Sequence, residues 1–143
     1  MVTVGCVDFA ERRRAGWEVL SVLNHFNLTE HFNLTEFQCK CGCGTAKISS
    51  RLVSMLEALR QELGVPFVIT SGYRCPTHNA NVGGAKNSYH AQGLACDIAC
   101  PKGWTVEAFT KKCLEHGFTG VGAYPAQNFV HVDVRPGRQI RFQ

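Results

Sequence analysis

The chain has 143 residues, of which 45% are hydrophobic and 18% are charged, and its formal net charge is +4. A chain of this length and composition can bury one hydrophobic core, which excludes an intrinsically disordered protein. The positive charges are scattered instead of forming a basic stripe interleaved with aromatic residues, so we expect no nucleic-acid partner. No apolar run approaches the ~18 residues that a membrane-spanning helix needs.

The N-terminal region lacks the pattern of a secretion signal. Three arginines at 12–14 precede a short apolar stretch that Glu18 and Ser21 interrupt, and no small-residue cleavage site follows. We therefore expect synthesis without a signal peptide and retention in the cytoplasm unless another route exports the chain. We interpret residues 1–24 as an N-terminal extension with a patchy helical stripe, and residues 25–143 as one domain that we expect to be monomeric.

A hexapeptide, His-Phe-Asn-Leu-Thr-Glu, occurs twice in succession at 25–30 and 31–36. A six-residue unit copied once is too short for a repeat architecture, which needs at least three longer units. We interpret it as a small duplication and expect the second copy, which runs into Phe37, to be the one that packs natively. The duplication is sufficient to explain the pair His25 and His31, although histidine is also a metal-ligand type.

Three of the eight cysteines lie close together, in the run Cys39-Lys-Cys41-Gly-Cys43-Gly. This spacing differs from the Cys-x2–4-Cys of zinc fingers and no matching downstream pair follows, but Cys75 could complete a site in space. Two interpretations stay open: a second, structural metal site, or a glycine-rich turn with ordinary thiols or one disulfide. Without a secretion signal, thiols or metal ligands are favoured over disulfides.

Hydrophobic periodicity predicts a small α+β domain. Apolar residues at helical spacing predict a helix at 49–63 and another that begins after Thr105, its expected cap. Pro76 suits the first turn of a short helix. Short strands are predicted at 66–70, 94–99, 118–124, 128–134 and 140–142. We therefore expect a small, mostly antiparallel sheet flanked by helices.

The segment 71–97 concentrates residues that carry chemistry. It begins with Ser71-Gly-Tyr-Arg74 and ends with Ser88-x-His90-x-x-Gly-x-Ala-x-Asp97. Alternation along the predicted strand places Asp97 on one face and Cys96 on the other.

The later run Phe129-Val-His131-Val-Asp133 places His131 and Asp133 on one strand face by the same alternation. If this face meets that of Asp97, then His90, Asp97 and His131 converge. Two imidazoles and one carboxylate leave one open position on a tetrahedral zinc ion, which is typical of a catalytic rather than a structural site.

These motifs resemble those of the zinc D-Ala-D-Ala metallopeptidases, a family of D-alanyl-D-alanine carboxypeptidases, D,D-dipeptidases and phage L-alanyl-D-glutamate endolysins. The family shares its fold with the hedgehog signalling domain. The resemblance rests on Ser71 to Arg74, on the motif from Ser88 to Asp97 and on His131, and it covers roughly residues 36–142. It implies a hedgehog/DD-peptidase-like fold and one catalytic Zn²⁺ bound by His90, Asp97 and His131.

The resemblance also implies roles for side chains around the metal. Arg74 lies 16 residues before His90, as its counterpart does in the family, and would bind a substrate carboxylate or stabilise the oxyanion. Tyr73 and Ser88 would lie on the substrate side or behind the ligands.

The general base is where this chain departs from the family pattern. Family members carry it two or three residues before the last histidine ligand, where this chain has Phe129 and Asn128. Neither side chain accepts a proton from water at neutral pH. Asp133 is the candidate that remains: it could be the base, or it could orient His131.

The resemblance implies a zinc peptidase that hydrolyses peptidoglycan stem peptides next to D-amino acids. Its site of action would be the bacterial cell wall, and a phage or prophage origin would suit a short chain of this kind. The alternative is a non-catalytic, zinc-bearing cell-wall binding or signalling module of the same fold, which the vacant base positions favour.

Overall fold

A computed structural model describes residues 2–4 and 24–143 of the chain. The strands are β1 (Val2–Val4), β2 (Ala46–Ile48), β3 (Ile69–Ser71), β4 (Ala95–Ala99), β5 (Gly120–Tyr124), β6 (Phe129–Asp133) and β7 (Ile140–Phe142). The α-helices are α1 (Ser50–Leu63), α2 (Pro76–Asn81) and α3 (Val106–Glu115), and two short 3-10 helices span Leu34–Phe37 and Pro125–Gln127.

The main sheet has five strands in the order β3-β4-β6-β5-β7. Its neighbouring strands are antiparallel except for β7, which pairs with β5 in parallel at the edge. Strands β1 and β2 form a separate antiparallel pair. The α+β class and the mostly antiparallel sheet that the sequence predicts are therefore confirmed.

The larger of the two buried clusters in the described residues lies between the helices and the sheet. Helix α1 contributes Leu52, Leu56 and Leu59, whose helical spacing places them on one buried face. Helix α3 begins after Thr105, whose hydroxyl accepts a hydrogen bond from the amide of Ala108, as a capping residue does. Strands β4, β5 and β6 contribute the facing side chains, which are Cys96, Ile98, Val121, Val130 and Val132.

The first strand of the main sheet is shorter than the sequence predicts. Pro66 cannot donate a hydrogen bond to the sheet, and regular pairing begins only at Ile69. Val68 is 62% exposed, although its carbonyl still accepts a hydrogen bond from the amide of Ala99. The register of β3 against β4 then shifts between Ile69 and Ser71, so the pairing is irregular at Ser71, the last residue before the loop.

The two copies of the hexapeptide differ in burial. Phe32 and Leu34 of the second copy are buried in the core, whereas Phe26 of the first copy is 43% exposed. The copies contact each other through an isolated antiparallel bridge between Asn27 and Asn33, the equivalent positions of the two units. The prediction that the second copy packs natively is confirmed.

Two predictions concern the N-terminal region and the membrane. The helical stripe lies within residues 5–23, outside the described residues, and the domain division at residue 24 stays a prediction. Across residues 2–4 and 24–143, no helix combines the length and the apolar character that crossing a membrane requires.

Matched substitutions in the hexapeptide test this difference in burial. Phe32→Ala empties a core position and is expected to lower the free energy of unfolding by about 3–5 kcal/mol. Phe26→Ala, at the equivalent position of the first copy, is expected to cost less than about 1 kcal/mol because Phe26 is 43% exposed and lies outside the buried core. Urea unfolding measures the free energy of unfolding of both variants. Equal losses of this free energy would contradict the conclusion that only the second copy packs into the core.

Candidate metal centre

Strands β4 and β6 bring a carboxylate and an imidazole together. Their antiparallel register pairs Asp97 directly with His131, and directly paired side chains lie on the same face of a sheet. His90 reaches them from the turn that precedes β4. In that turn Gly93 has φ +72°, and a Cβ atom at this position would meet the backbone of Lys47 at 2.8 Å. A glycine is therefore needed to bring His90 to the sheet.

The three donor atoms form a compact triangle. His90 Nε2 lies 3.2 Å from His131 Nδ1 and 3.3 Å from Asp97 Oδ1, and His131 Nδ1 lies 2.9 Å from Asp97 Oδ1. Zinc–ligand bonds of about 2.0–2.1 Å at tetrahedral angles would place such atoms about 3.3 Å apart. The donor set and its spacing therefore fit a zinc ion.

Hydrogen bonds on the opposite ring nitrogens orient both imidazoles. His90 Nδ1 donates to the carbonyl oxygen of Gly72 at 2.8 Å, which leaves Nε2 of the neutral ring as the lone-pair atom of the triangle. His131 Nε2 lies 2.9 Å from Asp133 Oδ2, so a proton on Nε2 leaves Nδ1 as the other lone-pair atom. Partners of this kind commonly orient metal-binding histidines.

Asp133 is fully buried, and its carboxylate is enclosed by hydrogen bonds. Arg135 Nε lies 2.8 Å from Oδ1 and 3.0 Å from Oδ2, and the backbone amide of Arg135 donates to Oδ1 at 3.1 Å. Burial raises the pKa of Asp133, but the hydrogen bonds from Arg135 and His131 outweigh it and lower this pKa below its ordinary value. A Cβ atom on Gly120 would meet the carboxylate at 2.3 Å, so glycine leaves the space that Asp133 occupies.

Arg74 lies directly beside the triangle. Its Nη2 donates to Asp97 Oδ2 at 3.2 Å, and its Nε donates to the hydroxyl of Ser71 at 3.2 Å. Burial raises the pKa of Asp97, but the adjacent His131 and His90 side chains outweigh it, so this pKa is lowered and the carboxylate is ionised. Arg74 thus places a fixed positive charge next to the candidate metal position.

A cleft of about 400 Å³ opens over the triangle and includes Arg74 in its lining. Its aromatic wall contains Tyr124 stacked on Phe129, with ring centroids 4.5 Å apart. The Arg135 guanidinium lies 4.5 Å from the ring centroid of Tyr89 and 5.0 Å from that of Phe142. The sequence analysis did not predict Arg135, Tyr89 or Phe142 at the site. Phe142 in particular returns to it only because strand β7 pairs with β5.

Ser88 and Tyr73 have different surroundings. Ser88 lines the cleft, and its hydroxyl accepts a hydrogen bond from the amide of His90 at 3.2 Å. Tyr73 is buried beside Cys39, Cys43 and Cys75 and is not among the cleft-lining residues of the described chain. A substrate contact of Tyr73 stays a prediction that this placement does not favour.

The remaining candidate ligands lie outside this triangle. Cys39, Cys41 and Cys43 come together with Cys75, and their sulfur atoms all lie within 4.8 Å of one another. His31 pairs instead with Glu57, with Nδ1 2.6 Å from Oε1.

Comparison with known proteins identifies the family of the chain. The family model of peptidase M15 matches residues 6–133. The chain is 38% identical to the zinc D-Ala-D-Ala carboxypeptidase of Streptomyces albus G over 106 residues, which are 69% of this chain and 40% of that protein. It is 33% identical to the peptidoglycan L,D-endopeptidase MepK of Escherichia coli K12 over 138 residues, or 92% of this chain and 70% of that protein. The chain thus spans less than half of the carboxypeptidase and about two thirds of the endopeptidase.

Metal analysis tests the triangle directly. His90→Ala removes one of three ligands and is expected to reduce bound zinc by about one equivalent per chain relative to the wild type. His25→Ala, at an exposed position, is the matched control and is expected to retain the wild-type content. Elemental analysis of the purified proteins, with circular dichroism to confirm folding, gives the result. Equal zinc content in wild type and His90→Ala would refute the site.

Proposed function

The chain belongs to the peptidase M15 family, and from this premise we propose that it is a zinc-dependent peptidase that hydrolyses peptidoglycan stem peptides next to D-amino acids. The observation that carries the proposal is the triangle of His90, Asp97 and His131 donor atoms at the wall of a cleft. The names of two relatives, a zinc D-Ala-D-Ala carboxypeptidase and a peptidoglycan endopeptidase, support the metal and the substrate class. The proposed place of action is the bacterial cell wall.

The three ligands define what the site supplies. A zinc ion bound there would polarise a peptide carbonyl and lower the pKa of a bound water to about 7. Asp97 contributes a negative charge at neutral pH, where an ordinary aspartate is already ionised and the lowered pKa of Asp97 keeps it so. His90 and His131 contribute neutral nitrogen atoms whose directions are set by Gly72 and Asp133.

In the proposed mechanism Arg74 binds an anionic part of the substrate. Its guanidinium has five N–H donors, and the two hydrogen bonds to Asp97 and Ser71 use only Nε and Nη2. The other donors are held beside the metal position because Asp97 and Ser71 fix the side chain. A fixed arginine stabilises either the oxyanion of the transition state or a substrate carboxylate.

We assign Asp133 to the positioning of His131 in preference to the role of general base. Its carboxylate is fully buried, and Arg135 and His131 occupy both of its oxygens. A general base must reach the attacking water and must have a pKa near the working pH. The lowered pKa of Asp133 makes it a poor proton acceptor, whereas a carboxylate on the outer nitrogen of a histidine ligand is a common supporting arrangement.

One observation favours a second candidate function, a non-catalytic zinc-bearing module that binds the cell wall. Phe129 lines the cleft at a position where the family carries a base, and its ring stacks on Tyr124. A stacked aromatic wall suits binding, and neither ring supplies a base at neutral pH.

A peptidoglycan digest distinguishes the two functions. The zinc-loaded protein is expected to release new peptide species, and His90→Ala is expected to release none because it lacks a metal ligand. Mass spectrometry identifies the bond: loss of a single alanine indicates a carboxypeptidase, whereas separation of larger fragments indicates an endopeptidase. Binding to peptidoglycan with no change in any product mass would overturn the peptidase and favour the binding module.

Substitution of Asp133 distinguishes a positioning role from a base role. If Asp133 orients His131, Asp133→Asn is expected to lower zinc affinity or activity by about 10–100-fold, and excess zinc restores part of the activity. Chelator competition measures the zinc affinity of the variant, and the peptidoglycan digest measures its activity. Unchanged zinc affinity with activity lost at every zinc concentration would instead assign Asp133 as the base.

A further inference from the structure

A second cluster of ligand atoms lies on the other side of the segment that carries Arg74. Cys39, Cys41 and Cys43 belong to a turn that Gln38 and Ala46 close through a bridge, and Cys75 precedes helix α2. The Sγ atom of Cys41 lies 3.3 Å from that of Cys39 and 3.7 Å from that of Cys75. All four sulfur atoms lie within 4.8 Å of one another.

These distances suit four ligands of one metal ion better than disulfides. Four sulfur atoms bound to zinc at about 2.3 Å lie about 3.8 Å apart in a tetrahedron. A disulfide would require a bond of about 2.0 Å, which is much shorter than the 3.3 and 3.7 Å between the sulfur atom of Cys41 and those of Cys39 and Cys75. These two sulfur–sulfur distances are thus near the spacing in a metal tetrahedron, and the others do not exceed 4.8 Å.

The backbone around the cluster is arranged to hold sulfur atoms. Gly42 and Gly44 have φ of +83° and +79°, which allow three alternate cysteines to turn inward within one short turn. The amide of Cys75 donates to Cys39 Sγ at 3.3 Å, and the amide of His78 donates to Cys75 Sγ at 3.4 Å. Such donors stabilise the negative charge of thiolate ligands.

Three of the four cysteines are closed to solvent, and the fourth, Cys41, is half-buried. Cys39, Cys43 and Cys75 are 1%, 5% and 3% exposed, and Tyr73 packs against them. A catalytic zinc site keeps a position open for water, whereas a structural site fills all four with protein ligands.

We propose that Cys39, Cys41, Cys43 and Cys75 bind a second, structural zinc ion, separate from the site of His90, Asp97 and His131. This ion joins two distant parts of the chain, the turn at 39–44 and the loop at 71–75. The same loop is also held at Tyr73, whose amide donates to the carbonyl of Phe37 at 2.8 Å. The ion therefore anchors the segment from which Arg74 reaches the cleft.

Metal stoichiometry of the full chain, purified under reducing conditions, is the first test. The wild type is expected to hold about two zinc ions, and both Cys41→Ser and His90→Ala are expected to hold about one. Cys100→Ser, which changes a half-buried cysteine outside the cluster, is the matched control and is expected to hold two. A single zinc in the wild type that His90→Ala abolishes would overturn the proposal.

Cobalt substitution identifies the ligands without relying on a cysteine variant that fails to fold. Co²⁺ bound to His90→Ala is expected to give the intense thiolate-to-cobalt charge-transfer absorption of a four-sulfur site. Absence of this absorption from both His90→Ala and the wild type would refute thiolate ligation.

Alkylation of the wild type compares two half-buried thiols within one molecule. Cys41 is expected to react slowly until a chelator is added, whereas Cys100 reacts at the same rate with and without chelator. Peptide mass spectrometry reads both sites. The proposal would be overturned by disulfide-linked peptides among residues 39, 41, 43 and 75 in the native protein. It would also be overturned if the alkylation rate of Cys41 were the same with and without chelator.

Discussion

The pairing of Asp97 with His131 across strands β4 and β6 is the constraint on which the candidate site depends. Alternate residues of a strand point to opposite faces, so a slip of one residue would turn one of these ligands into the core. The opposite faces of the two strands prevent such a slip, because they carry fully buried side chains: Cys96, Ile98, Val130 and Val132. Hydrophobic packing on one side of the sheet therefore fixes the positions of Asp97 and His131 on the other side.

Each ligand of the triangle contacts a neighbouring group that is held in place by further contacts. For His131 this group is Asp133. The carboxylate of Asp133 is fully buried, and removing a carboxylate from water costs several kcal/mol unless it is well paired. Arg135 supplies that pairing, and its guanidinium is held in turn over the rings of Tyr89 and Phe142. A buried charge of this kind is weak support for stability, but it fixes the imidazole of His131 in one orientation.

The parts of the site that sequence predicted are those encoded by local patterns. Alternation within single strands was enough to place Asp97 and Cys96 on opposite faces. Tyr73 packs against the cysteines, whereas its neighbour Arg74 lines the cleft. Arg135 could not be predicted, because its importance depends on the return of Phe142 through the parallel pairing of β5 and β7. The start of β3 was misplaced because apolar residues at 66–68 precede the regular pairing.

The segment 72–75 lies between the His90–Asp97–His131 triangle and the cysteine cluster, and its successive residues contact these two clusters alternately. The Gly72 carbonyl accepts from His90 and the Arg74 side chain donates to Asp97, while Tyr73 packs against the cysteines and Cys75 is one of them. Gly72 approaches the backbone of Phe37 so closely that a Cβ atom would lie 2.5 Å from its Cα. Ordering a backbone costs about 1–2 kcal/mol per residue. If the proposed zinc ion binds the cysteines, this cost is met when the domain folds, and the segment that carries Arg74 would then be ordered before a substrate binds.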